Sequence, residues 1–144
     1  MNNVERAVSC FNDGFSCSQA VLATYAELFG LDRDRALKVA SAFGGGMGHL
    51  GETCGAVTGA FMVIGLKCGQ TDADDKETKK KTYRLVKAFA EKFKARNGSI
   101  SCTELLGCDL STPEGMKRAK EQNLFTTLCP TFVRDATELL EELL

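Results

Sequence analysis

Seven cysteines and one histidine are the residues of this 144-residue chain with the most chemistry to offer. Four of the cysteines fall where a helix is expected to begin. Cys17 opens the apolar run SCSQAVLATYAELFG, and Cys54 lies in GETCGAVTGAFMVIG just after a glycine cluster. Cys102 lies in SCTELLG, where Ser101 and Glu104 have capping-box spacing. Cys129 directly precedes Pro130, and proline favours the first position of a helix. The first turn of a helix presents free N–H groups and the positive end of the macrodipole. Both stabilise a thiolate, the form that attacks disulfides and binds metals. The four are separated by 37, 48 and 27 positions, with no C-x-x-C. A local thioredoxin-type dithiol or zinc knuckle is therefore excluded, and any shared site must form by convergence of helix ends. Four converging thiolates suit an iron–sulfur cluster, a four-thiolate zinc, or a dithiol with a resolving pair. The opposing expectation is scattered thiols buried as small hydrophobes.

The other candidates carry less. Cys10 is cut off from Cys17 by Asn12-Asp13-Gly14, and Cys68 sits at a helix C-terminus, where the dipole disfavours a thiolate. Cys108 follows Cys102 by six residues and is a spare ligand or resolving thiol. Gly46-Met47-Gly48-His49-Leu50-Gly51 matches G-x-G-x-x-G. The dinucleotide reading needs a preceding strand, whereas ALKVASAF reads as helix. What remains for Gly46, Gly48 and Gly51 is a loop that gathers backbone N–H groups toward an anion, a cluster sulfur or the Cys54 thiolate, or simply a tight turn between crossing helices. His49, five residues before Cys54, is either a proton relay or ligand for a thiol or a solvent-facing loop residue. Lys79-Lys80-Lys81 and the Glu138, Glu141, Glu142 group read as solvated helix faces, and no Ser/His/Asp arrangement is visible.

The elements that must position these residues all read as helices. Val4–Phe11 is short and stops at Asn12-Asp13-Gly14. Ser16–Phe29 carries Val21, Leu22, Tyr25, Leu28 and Phe29 at helical spacing and stops at Gly30. Asp32 caps a third helix through Phe43, with Ala36, Leu37, Val39 and Ala40 inside. After the loop 44–51, Glu52–Lys67 is apolar on nearly every side, hence central, and its Gly55-xxx-Gly59 spacing lets a neighbouring backbone come close. A long amphipathic helix starts at Thr71 or Asp72 and ends at Asn97-Gly98, with Tyr83, Val86, Phe89, Ala90 and Phe93 inward. Cys102–Leu106, Thr112 to about Gln122, and Pro130–Leu144 complete the chain. The expectation is one all-α domain over 1–144, an irregular bundle of five or more helices.

The totals exclude several classes. Net charge is −1 and there is no Trp, which gives no electrostatic or stacking case for nucleic acid. The most apolar run, Cys54–Leu66, is too short to span a bilayer, and MNNVERAVSCF has no secretory pattern. The expected location is cytoplasmic, where thiols stay reduced; an odd cysteine count also argues against a purely structural disulfide framework. Leu139, Leu140, Leu143 and Leu144 could support a homodimer.

FSCSQAVL, FGGGMGHLGETCGAVTGAFMVIGLKCG, SCTELLGCDL and CPTFVRDATELLEELL, in that order, resemble the redox-active protein family of the C_GCAxxG_C_C type. The resemblance covers roughly residues 12 to 144, and the CGAxxG string is matched by Cys54-Gly55-Ala56-Val57-Thr58-Gly59. It implies that Cys17, Cys54, Cys102 and Cys129 are the family's characteristic cysteines and that they are redox-active. Similar domains accompany c-type haem segments in split-Soret-type cytochromes, which implies electron transfer and an iron–sulfur site. This chain has no C-x-x-C-H to attach haem itself. The expected function is electron transfer through an iron–sulfur cluster, most simply two-iron, held by those four cysteines. The alternatives are a metal-free thiol–disulfide oxidoreductase or redox sensor with Cys54 as the attacking thiol, a four-thiolate zinc site, and a non-catalytic interaction module. The redox partner, protein or small molecule, is left open.

Overall fold

The computed structural model describes residues 1–144 and is all helical. The helices are α1 (Asn3–Asn12), α2 (Cys17–Ala26), α3 (Arg33–Ala40), α4 (Gly55–Cys68), α5 (Lys76–Asn97), α6 (Cys102–Leu106), α7 (Pro113–Glu121), α8 (Leu124–Thr127) and α9 (Cys129–Leu143). Single 3-10 turns follow α2 at Glu27–Phe29 and α3 at Ser41–Phe43. Polar caps start most of these helices. Ser16, Asp32, Asp75, Ser101 and Thr112 each accept a hydrogen bond from the backbone N–H three residues on.

Helix α4 runs through the middle. Gly55, Ala56, Val57, Thr58, Gly59, Ala60, Val63 and Ile64 are buried, so no polar face is left. Its small residues bring α2 close: a Cβ on Gly59 would lie 2.9 Å from the Ser18 carbonyl oxygen, and one on Gly55 would lie 3.1 Å from the Ser18 nitrogen. Helices α1, α2, α4 and α5 all pack on α9. Phe61 meets Phe89 edge-on at 5.9 Å, Phe89 stacks on Phe93 at 6.0 Å, and Phe93 meets Phe132 at 6.2 Å, tying α4, α5 and α9 into one core.

Several boundaries and faces differ from expectation. Helix α4 begins at Gly55, not Glu52, because residues 52–54 are extended and paired with 100–102: the Cys54 N–H donates to the Ile100 carbonyl (2.8 Å) and the Cys102 N–H to the Glu52 carbonyl (2.6 Å). Helix α5 begins at Lys76, since Asp72 and Asp74 form a turn and Asp75 is the cap. Helix α8 was not anticipated. The box at Ser101 is half-formed: its hydroxyl caps Glu104, but its own N–H is taken by the Ser99 hydroxyl at 2.9 Å. Full boxes are at Asn2 with Glu5 and at Ser16 with Gln19 instead. Leu28, Val39 and Tyr83 face solvent although their spacing placed them inward. Leu139 and Leu140 are buried in the chain's own core, while Leu143 and Leu144 are half-buried. No helix is long and apolar enough to cross a membrane.

Candidate functional site: a thiol-lined cavity

Each of the four cysteines stands at a helix start. Cys17, Cys102 and Cys129 are the first residues of α2, α6 and α9, and Cys54 is the N-cap of α4. All four open on one cavity of about 520 Å³. Three local devices bring them there. The 52–54/100–102 pairing sets Cys54 beside Cys102. Gly55 lets Cys17 approach: a Cβ at 55 would stand 3.3 Å from the Cys17 Cβ. The glycine loop fills the remaining side. A Cβ on Gly44 would meet the Ser16 Cβ at 2.6 Å, and one on Gly46 would meet the Cys102 Cβ at 2.6 Å, so only glycine fits at either position.

The loop itself is unusual. Gly45, Gly46, Met47, Gly48 and His49 all have φ between 61° and 69°, so the chain makes a left-handed turn there. Such a turn costs roughly 1–2 kcal/mol for each non-glycine residue, here Met47 and His49. Gly46 and Gly48 line the cavity, but Gly51 does not: its close neighbours are Thr103 and Asp109. His49 is exposed at the cavity edge, with its ring folded against Gly45.

The thiols are not equivalent. Burial pushes Cys54 up to about 11; the N–H groups of Ala56 and Val57 oppose this, but neither completes a capping bond to the sulfur. Burial first, then the neighbouring Cys54, Cys129 and Cys108, push Cys102 up to about 12. Cys17 and Cys129 interact directly. The Cys17 thiol donates to the Cys129 sulfur, which lowers Cys129 and, with burial, raises Cys17 well above an ordinary thiol. The two thiols therefore titrate as a pair, in two separated steps. This corrects the expectation that Cys54 is the low-pKa thiol: the N-terminal dipole of α4 is outweighed there by near-complete burial.

The remaining cysteines lie outside the cavity lining. Cys10 is half-buried near Arg33, Cys68 is half-buried at the end of α4, and Cys108 is buried behind Cys102. In number and donor chemistry the four cavity thiols suit iron or zinc. In spacing they do not form a cage, since no three His, Cys, Asp or Glu side chains are gathered closely enough to hold a metal ion. Sequence reasoning missed the phenyl groups that wall the cavity, Phe11, Phe15, Phe125 and Phe132, because their spacing reads as ordinary core.

No curated protein and no solved structure matches the chain. One family model does, over residues 15–143, and its description reads "Putative redox-active protein (C_GCAxxG_C_C)". The cysteine–glycine order at Cys54-Gly55 is the reverse of that label's Gly-Cys, while the alanine and the later glycine follow as Ala56 and Gly59. With nearly its whole length matched, the chain belongs to the C_GCAxxG_C_C family of redox-active proteins.

Proposed function

We propose that the cavity is a thiol redox site whose working pair is Cys17 and Cys129. The observation that carries this reading is that both thiols open on one cavity from the starts of α2 and α9, where each perturbs the other's acidity, Cys17 upward and Cys129 downward. Oxidation takes two electrons and two protons from the pair and forms one sulfur–sulfur bond; reduction reverses it. Cys129 is the attacking thiolate and Cys17 the thiol that closes the bond. The helix starts at α2 and α9 stabilise the transient thiolate. Cys54 and Cys102, held protonated at neutral pH, do not compete as nucleophiles.

The second reading is a cluster-bearing electron carrier using all four thiols. It draws on Cys54 and Cys102 opening on the same cavity, although the dithiol reading leaves them idle. One preparation separates the two. Protein is purified without air and assayed for iron, zinc, acid-labile sulfide and free thiols, then treated with diamide and mapped by mass spectrometry. Metal-free protein that loses two thiols to a Cys17–Cys129 cross-link supports the dithiol. Iron and sulfide in matching amounts, lost in the Cys54→Ser and Cys102→Ser variants, would replace it with the cluster.

A further inference from the structure

The cavity walls select a kind of substrate. Three of the four phenyl groups, Phe11, Phe15 and Phe125, are only half-buried, so the space they border keeps aromatic surface accessible. Phe132 forms the inner wall. No Asp, Glu, Lys or Arg lines the cavity, whose polar side chains other than the thiols are those of Ser16, Gln19, Ser41 and His49. One cation, Arg33, lies over the Phe15 ring at 5.5 Å but lines a separate cavity of about 350 Å³. A charged ligand entering among the phenyls would lose hydration with no counter-charge to meet it. A volume of about 520 Å³ is far more than a peroxide needs and is within the range of small-molecule sites.

We propose that the cavity takes an uncharged, conjugated two-electron acceptor of the quinone class between Phe11, Phe15, Phe125 and Phe132, and that the Cys17–Cys129 dithiol reduces it there. The assignment rests on the dithiol reading. The reaction balances without outside charge. Two thiols and a quinone become one disulfide and one hydroquinone, with two electrons and two protons passing from the sulfurs to the quinone oxygens. The proton that Cys129 releases on becoming the thiolate returns to a quinone oxygen, so no net charge accumulates, which suits a lining that has no ionic partner to offer. The competing substrate class is a carboxylate-bearing disulfide, which would draw instead on the positive helix ends around the thiols.

The test uses duroquinone, whose ring has no hydrogen to lose and so holds no stable thioether, against oxidised glutathione. Binding of duroquinone is measured by equilibrium dialysis on the Cys17→Ser/Cys129→Ser protein, where no working pair remains. Retention there, weakened roughly tenfold or more by adding Phe125→Ala, supports the substrate class. So does oxidation of the reduced wild-type protein by duroquinone in preference to oxidised glutathione, with one hydroquinone formed per Cys17–Cys129 disulfide. If the double-serine protein does not retain duroquinone while diamide still forms the cross-link in wild type, the quinone assignment falls and the dithiol stands. Retention of duroquinone with no cross-link under any oxidant upholds the ligand class and overturns the reduction step. Faster oxidation by glutathione disulfide overturns the substrate class.

Discussion

At the scale of single residues, the same position in a helix gives opposite acid–base behaviour. Four cysteines share a helix start, and the sequence alone suggests a lowered pKa for each. Only Cys129 is lowered, because it alone receives the Cys17 thiol; burial governs Cys54 and Cys102. Helix position is legible from caps and prolines, whereas burial depends on what the rest of the chain places over the sulfur. Two outcomes follow. Iodoacetamide at increasing pH should label Cys129 first, with Cys54 and Cys102 lagging; peptide mapping of the labelled protein checks the order, and Cys17→Ser should delay Cys129 by removing its donor. Stability should also change with pH. A thiol whose folded pKa is raised stabilises the fold fully below about 9, its unfolded value, and that contribution is lost as pH climbs through the folded pKa. For Cys54, lifted from 9.0 to about 11, the loss falls mainly between pH 9 and 11 and amounts to about 2–3 kcal/mol. Urea melts at pH 8 and pH 11 should show it, with a shallower fall in Cys54→Ser.

At the scale of elements, the cavity depends on backbones that come unusually close. The apolar character of α4 and its glycine spacing were readable, as was the need for a loop at 44–51. The pairing of 52–54 with 100–102 was not, because it joins two short segments that carry no strand pattern. Substituting Gly46 combines a left-handed φ of 69° with a collision at Cys102 and the Glu52 nitrogen. Gly46→Ala should cost about 2–4 kcal/mol, the sum of a left-handed penalty and overpacking. Equilibrium denaturation measures the loss, and a changed alkylation rate at Cys102 would show that the site is disturbed with it. Ser16→Ala is a milder probe. It removes the cap of α2 and should cost about 1 kcal/mol, since Gln19 can no longer be held by the hydroxyl.

For the whole molecule, the core carries the stability and the surface adds little. The ion pairs joining α5 to α9, Lys92–Glu142 and Arg96 with Asp135 and Glu138, are open to solvent over about a quarter to a half of their side-chain surface and contribute up to about 1 kcal/mol each. Phe132, which closes the aromatic chain and also walls the cavity, should cost roughly 3–5 kcal/mol as Ala; denaturant melts check this. Helical class and single-domain organisation were readable from periodicity, yet periodicity put Leu28, Val39 and Tyr83 inward because it cannot count how many neighbours a helix has. The spread of the cysteines along the chain has a consequence for how the protein is made. Cys17 and Cys129 are 112 positions apart, on the second helix and the last. Their contact requires nearly the complete chain, so a ribosome holding the first three-quarters of it carries thiols that cannot yet pair. During refolding from urea, the capacity to form the Cys17–Cys129 cross-link should therefore arise with the final cooperative phase rather than with early helix formation, making the redox pair a chemical clock for completed folding.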